Sequence, residues 1–197
     1  LVYIVNPNNP IPSIVAKKEL EEFVLEVSQK CMVLVDEAYY EFVEDPSYSS
    51  MIGLVREGHK NILVSRTASK IHGMAGLRIG FGFAHPDHIK DIEAKGTGSL
   101  NILAVTAATA SYQDDEFQNF TRRNLRQSKV MVEDMVKELG LKSTPSHANF
   151  VFFDTGRDLR TVNEKLLERG IKVGRPFPPF KTWSRVSMVK PDDMRYY

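Results

Sequence analysis

The chain has 197 residues, of which 42% are hydrophobic and 26% charged; these proportions are ordinary for a soluble globular protein and exclude disordered, collagen-like and coiled-coil chains. At this length, folding would bury roughly 70% of the unfolded surface, so a hydrophobic core can form. Lysine and arginine total 26 and acidic residues 25, a formal net charge of +1. So balanced a charge offers no electrostatic attraction for nucleic acid, which is therefore not expected as a partner.

Cys31 is the only cysteine, so neither an intrachain disulfide nor a cysteine-based zinc site can form, and a reducing, cytoplasmic setting is expected. The most apolar stretch, residues 102–110, is short and interrupted by threonines, far from the roughly 20 apolar residues of a membrane helix. Residues 1–5 form a β-rich run without an initiator methionine or a leader pattern. This start indicates a chain cut from a longer one.

Short apolar runs alternate with helical patterns through the first half of the chain. Four runs predict buried strands, at residues 2–5, 32–35, 62–64 and 79–83, and a period near 3.6 predicts a helix over residues 15–29. The alternation predicts an α/β fold with a mostly parallel sheet. In such folds the ligand-binding groups gather at the carboxyl ends of the strands.

The second half has a different pattern. A long amphipathic helix is predicted over residues 114–139, ended by Gly140. Beyond it, the pattern predicts strands at residues 150–153, 171–173 and 183–189, a helix over 159–169 and another beginning around 191–193. We therefore expect part of a larger domain (residues 1–113), a linking helix (114–140) and a small, incomplete α+β domain (141–197).

The most informative segment, residues 65–80, follows the third apolar run. It carries the hydroxyls of Thr67 and Ser69, then Lys70, two glycines, and Arg78 eight residues after the lysine. Hydroxyl and guanidinium donors converge on phosphates, and glycines let the backbone approach one closely. A lysine partly removed from water beside such a site can attack a carbonyl as the free amine. Together these features describe a pyridoxal phosphate site, although Lys70 viewed alone is more often part of a solvated basic turn.

Two other strand ends supply what this cofactor further requires. Asp36 follows the second strand and Tyr39 lies three residues later. A carboxylate held against the pyridine nitrogen keeps it protonated, which makes the ring an electron sink. Taken singly, Asp36 is more often a helix cap or a metal ligand, but no histidine or second carboxylate recurs at metal-binding spacing. The first strand ends in turn residues 6–10, where an amide could donate to the cofactor's phenolate oxygen.

In these motifs the chain resembles the fold-type I pyridoxal-phosphate aminotransferases of class I/II, most closely the histidinol-phosphate aminotransferases. The matching motifs span the chain in family order: the Asn-Pro turn at residues 6–10, Asp-x-x-Tyr at 36–39, Ser/Thr-x-Ser-Lys with Gly-Leu-Arg at 67–78, and a late Arg-Val-Ser strand at 183–187. The resemblance implies part of the family's large domain followed by its small α+β domain.

The resemblance also implies a role for each matching residue. Lys70 would form a Schiff base with the cofactor and then carry protons, and Asp36 would pair with the pyridinium nitrogen. The other implied cofactor contacts are Asn9 and Tyr39 at the ring oxygen, and Thr67, Ser69 and Arg78 at the phosphate. Arg185 would bind the anionic end of the substrate, with Arg175 lining the same side.

The activity implied is transamination. The preferred amino donor is histidinol phosphate or an aromatic amino acid, the acceptor is a 2-oxo acid such as 2-oxoglutarate, and the enzyme would be a homodimer with its sites at the interface. The same core residues serve other pyridoxal-phosphate reactions, such as decarboxylation of a phosphorylated amino acid, and a non-catalytic binding module is a third interpretation.

The chain departs from the family pattern in two ways. The family turn continues with Thr-Gly, whereas Pro10 is followed by Ile11 and Pro12. Relatives also carry a phosphate-cupping loop and a ring-stacking aromatic ahead of the position of Leu1, so the 197 residues alone are expected to bind the cofactor weakly and to be inactive. No metal site is expected, and the remaining histidines singled out, His72, His85, His88 and His147, are expected on the surface or in loops.

Overall fold

The computed structural model describes residues 1–96 and 98–197. It divides the chain into two compact units. The first comprises Leu1–Pro7 and Ile14–Gln118, and the second comprises Asn8–Ser13 and Asn119–Tyr197. The short segment after the first strand therefore belongs with the second half of the chain. The expectation that residues 1–113 form part of a larger domain stays a prediction.

A four-stranded sheet forms the centre of the first unit. Its strands are β1 (Val2–Val5), β2 (Val33–Asp36), β3 (Ile62–Thr67) and β4 (Gly80–Ala84), in that spatial order. The first three are parallel and β4 is antiparallel. The predicted α/β fold with a mostly parallel sheet is confirmed. Strand β4 reverses direction because only residues 68–79 separate it from β3, without the crossover helix that a parallel pair requires.

Four helices accompany this sheet: α1 (Lys17–Ser28), α2 (Ile52–Arg56), α3 (Pro86–Lys95) and α4 (Ile102–Tyr112). Leu20 and Val24 of α1 pack on the alternate residues Val33 and Val35 of β2, and these side chains are buried. Leu20 and Val24 therefore lie on the buried, apolar face of the amphipathic helix that the sequence period predicts. The sequence analysis did not identify α3 and α4, which begin after side-chain caps at His85 and Asn101.

Helix α5 (Asp115–Glu138) begins in the first unit and continues in the second, and agrees with the predicted helix. The rest of the second unit contains the antiparallel strands β5 (Lys142–Ser143), β6 (Phe150–Asp154) and β7 (Trp183–Ser187), with helices α6 (Leu159–Glu168) and α7 (Pro191–Met194). Val132 and Val136 of α5 pack against Val151 and Phe153 of β6 in its core.

The strand predicted at residues 171–173 is wrong, because this segment has no regular structure. Its first amide is already used at the end of α6. The N–H of Ile171 donates to Leu166 O (2.9 Å), and Gly170 has a φ of +80°. This is a glycine-terminated helix cap, and the amide that it engages cannot also pair with a strand.

None of the helices described in residues 1–96 and 98–197 combines the length and apolar character needed to cross a membrane.

Candidate active site

Lys70 lies on a loop that is fixed on both sides. Its neighbours Ala68 and Ile71 are 0% and 1% exposed. The N–H of Ala68 donates to Ile79 O (3.2 Å), and the N–H of Gly73 donates to Lys70 O (3.0 Å). Lys70 itself is half-buried, with its Nζ 5.0 Å from the centroid of the buried Tyr39 ring. The fold thus holds an amine against the face of an aromatic ring.

Of the predicted phosphate-binding residues, Thr67 lies at the end of β3, whereas Ser69 and Arg78 lie in the loop between β3 and β4. Thr67 ends β3 and pairs with Gly80, two residues after Arg78. The Thr67 hydroxyl accepts from the N–H of Ser69 (3.1 Å), and both side chains are half-buried. The exposed Arg78 side chain donates through Nη1 to Ala75 O (2.8 Å). Thr67 and Ser69 are therefore in contact, and the pairing of β3 with β4 brings the backbone of Arg78 to the same end of these strands.

The backbone around Arg78 is tightly constrained. Arg78 has a φ of +55°, in the left-handed region that disfavours residues with a Cβ. At Gly80 a Cβ would lie 2.9 Å from Arg66 O. Only glycine allows β4 to approach β3 this closely.

Asp36 lies at the carboxyl end of β2, as predicted, and both its oxygens are engaged. Oδ1 accepts from the N–H of Ala38 (3.0 Å), and Oδ2 accepts from the hydroxyl of Tyr3 (2.6 Å). The hydrogen bond to Asp36, followed by burial, raises the pKa of Tyr3 to about 12. These contacts orient the carboxylate. Tyr3 was missed by the sequence analysis because its proximity depends on the parallel register, in which Tyr3 pairs with Leu34.

In the second unit the structure joins two residues that were predicted for different roles. The Nη1 of Arg185, on β7, donates to Oδ1 of Asn9 (2.7 Å). The guanidinium carbons of Arg185 and Arg175 each lie 4.7 Å from the centroid of the Phe177 ring. Both candidate substrate-binding cations are therefore positioned by one aromatic side chain.

A buried polar cluster beside Asp36 was not identified from the sequence. Glu37, 1% exposed, accepts from Arg66 Nε (3.1 Å) and Nη2 (2.9 Å) and from the N–H of Met51 (2.7 Å). His72 lies in the loop after Lys70, which agrees with the expected surface or loop position, but its side chain is buried, at 4% exposed. Its ring stacks on Tyr112 with 4.1 Å between centroids. This stacking accounts for the burial, and no local sequence pattern indicated it.

The family model of class I and II aminotransferases matches residues 1–197. The chain therefore belongs to the aminotransferase class I and II family, and the resemblance drawn from its motifs is confirmed.

Particular relatives agree with this assignment. The histidinol-phosphate aminotransferase of Moorella thermoacetica is 38% identical over 174 residues, which are 88% of this chain and 45% of that protein. A crystal structure from Erwinia carotovora atroseptica matches with a TM-score of 0.95 at 35% identity, covering 99% of this chain and 57% of the other. The histidinol-phosphate aminotransferase of Sinorhizobium meliloti, solved in complex with pyridoxal-5'-phosphate, matches with a TM-score of 0.88 at 26% identity, covering 99% and 54%.

These matches confirm the fold-type I assignment. The chain spans about half the length of the curated relatives it matches.

Proposed function

We propose that this chain acts in pyridoxal-phosphate-dependent transamination, with Lys70 as the residue that bonds to the cofactor. The observation that carries the proposal is the approach of Lys70 Nζ to the Tyr39 ring, 5.0 Å from its centroid, on a loop anchored by buried neighbours. An amine held in this way is available both as a nucleophile and as a proton carrier.

The donor set of the first unit fits pyridoxal phosphate. Asp36 is an acceptor whose oxygens are already oriented by an amide and a phenol, which suits a protonated ring nitrogen. Thr67, Ser69 and Arg78 offer the hydroxyl and guanidinium donors that a phosphate prefers. The proposal assigns these three residues to the phosphate, and assigns Tyr39 and Asn9 to the ring oxygen.

Each residue then has a defined task. When bound, pyridoxal phosphate withdraws electrons from the carbon that bears the substrate's amino group. Lys70 supplies the amine that holds the cofactor and, once displaced by the substrate, moves a proton to and from that carbon. Asp36 keeps a negative charge beside the ring nitrogen. Arg185 and Arg175 bind the anionic end of the substrate.

For the donor we propose histidinol phosphate or an aromatic amino acid, with a 2-oxo acid such as 2-oxoglutarate as acceptor. Two cations against Phe177 suit a substrate with an anionic end, and relatives named histidinol-phosphate aminotransferase are 35–39% identical to the chain. We further propose a cytoplasmic homodimer with sites at the subunit interface. Sedimentation of the cofactor-loaded protein at two concentrations tests the dimer.

The donor is tested by turnover in the natural full-length protein loaded with pyridoxal phosphate. Histidinol phosphate, phenylalanine and aspartate are supplied separately with 2-oxoglutarate, and glutamate is measured. We expect glutamate with histidinol phosphate or phenylalanine. Activity confined to aspartate would refute the preferred donor, and release of carbon dioxide from a phosphorylated amino acid without glutamate would refute transamination.

A further inference from the structure

Two buried acid–base pairs join the segment after β2 to the chain on either side of Lys70. The first links Glu37 to Arg66, four residues before the lysine, with 2.9 Å between Oε2 and Nη2. The second links Glu41 to His72, two residues after the lysine, with 3.8 Å between Oε1 and Nε2. The loop that carries Lys70 is therefore attached at both ends to the segment that carries Asp36 and Tyr39.

The second pair is the more completely buried. The side chains of Glu41 and His72 are 3% and 1% exposed. The Nδ1 of His72 lies 2.9 Å from the hydroxyl of Ser111 on α4, and the ring stacks on Tyr112. Three separate elements thus fix the imidazole: the turn at Tyr40–Phe42, the lysine loop and α4.

We infer that Glu41 and His72 are positioning residues for Lys70, an inference that rests on the proposed function. Glu41 lies two residues after Tyr39, and His72 lies two residues after Lys70. The pair therefore fixes both partners of the Lys70–Tyr39 approach. The hydrogen bond from the Gly73 N–H to Lys70 O carries the position of His72 to the backbone of the lysine.

Stability alone is a weak reason for such a pair. A buried acid–base pair gains little over well-packed apolar side chains of similar volume, whereas removing one partner leaves a costly unpaired polar group. What the pair adds is a fixed geometry, since the imidazole must meet Glu41 and Ser111 at the same time.

Other ionisable groups face this pair. Tyr40 lies on the same turn as Glu41, Tyr112 on α4, and Arg66 on β3 beside Glu37. Burial and, after it, the charge of Glu41 raise the pKa of Tyr112 well above its usual value. Tyr112 therefore stays protonated at neutral pH.

The test uses the natural full-length protein and three variants, Glu41→Gln, His72→Gln and the double variant. His59→Gln is the matched control, because His59 and Glu57 form a pair with the same 3.8 Å separation but with exposed side chains. Borohydride is added at intervals after pyridoxal phosphate, and the cofactor trapped on Lys70 is measured by mass spectrometry. The rate is followed over a range of cofactor concentrations.

A positioning role predicts a split between rate and affinity. We expect each single variant to lower the limiting rate of trapping on Lys70 by about tenfold. The half-saturating cofactor concentration should stay the same, because Thr67, Ser69 and Arg78 are unchanged. The double variant should be no slower than either single variant, since the two residues act as one unit. The control variant, His59→Gln, should trap the cofactor on Lys70 at the same rate as the unsubstituted protein.

Urea unfolding separates this role from a purely structural one. If the rates fall only in proportion to the unfolded fraction, or do not fall, the inference is overturned. If the other variants do not fold, Ser111→Ala is the milder test, because it removes only the hydroxyl that contacts Nδ1 of His72. We expect this variant also to trap the cofactor on Lys70 more slowly. An unchanged rate would overturn the inference. Absence of trapping on Lys70 in the unsubstituted protein would instead overturn the proposed function and this inference with it.

Discussion

Arg185 donates a hydrogen bond from Nη1 to Oδ1 of Asn9 at 2.7 Å, across 176 positions of sequence. A second bond, from the N–H of His147 to Pro12 O (2.8 Å), also joins this early segment to the rest of the second unit. These bonds explain why Asn8–Ser13 groups with the second half of the chain. They also mean that Arg185 has a preset orientation.

Arg185→Lys should raise the KM for the amino donor by about tenfold or more, because lysine cannot keep both the bond to Asn9 and a fork of donors for a carboxylate or phosphate. The limiting rate should change less, because Lys70 and Asp36 are untouched. Steady-state kinetics with the preferred donor measures both. Arg160→Lys, an exposed site on α6, is the control, and an equal KM in the two variants would contradict the assignment.

Alkaline pH should destabilise the protein. The folded state raises the pKa of five tyrosines above the value of 10 that they have when unfolded: Tyr3, Tyr40, Tyr48, Tyr112 and Tyr197. Above pH 10 the folded state therefore binds more protons than the unfolded state, so the free energy of unfolding falls as pH rises. Urea midpoints at pH 8, 10 and 11 measure this, and a constant midpoint would contradict it.

Tyr3→Phe isolates one of these contributions. Because the hydrogen bond to Asp36 is the largest cause of the raised pKa of Tyr3, absorbance titration should lose one phenol that ionises near pH 12. The backbone bond from Ala38 still holds Asp36, so the fold should persist. If the variant instead loses a phenol that ionises near pH 10, Tyr3 does not donate a hydrogen bond to Asp36.

Phe152→Ala should be strongly destabilising. Phe152 is 1% exposed and packs against the Phe180 and Trp183 rings, with centroids 5.5 and 5.0 Å away. Removing a buried phenylalanine costs about 3–5 kcal/mol in unfolding free energy. Phe117→Ala, at a side chain 40% exposed, should cost far less. Equal shifts in urea midpoint for the two variants would contradict this packing.

The sequence predicted the features that depend on local pattern. Apolar runs identified β1 to β4, β6 and β7, and the residue types around Lys70 indicated a lysine loop between two strands, because each signal lies within a few residues. The prediction of a strand at residues 171–173 was wrong because α6 ends in a cap at Gly170. The N–H of Ile171 donates to Leu166 O in this cap and so cannot pair with a strand.

What the sequence could not predict depends on register and packing between distant segments. Tyr3 reaches Asp36 only because β1 and β2 pair with Tyr3 opposite Leu34. His72 is buried only because α4 brings Ser111 and Tyr112 against it. The pair between Asn9 and Arg185 joins the two ends of the chain, which no local pattern connects.

The central claim is that Lys70 is the residue that bonds to pyridoxal phosphate. Borohydride reduction of the cofactor-loaded natural protein, followed by peptide mapping, tests it most directly. We predict the label on Lys70, lost in Lys70→Arg and retained in Lys60→Arg, a control at an exposed lysine paired with Asp87. Label on another lysine, or label that persists in Lys70→Arg, would contradict the account.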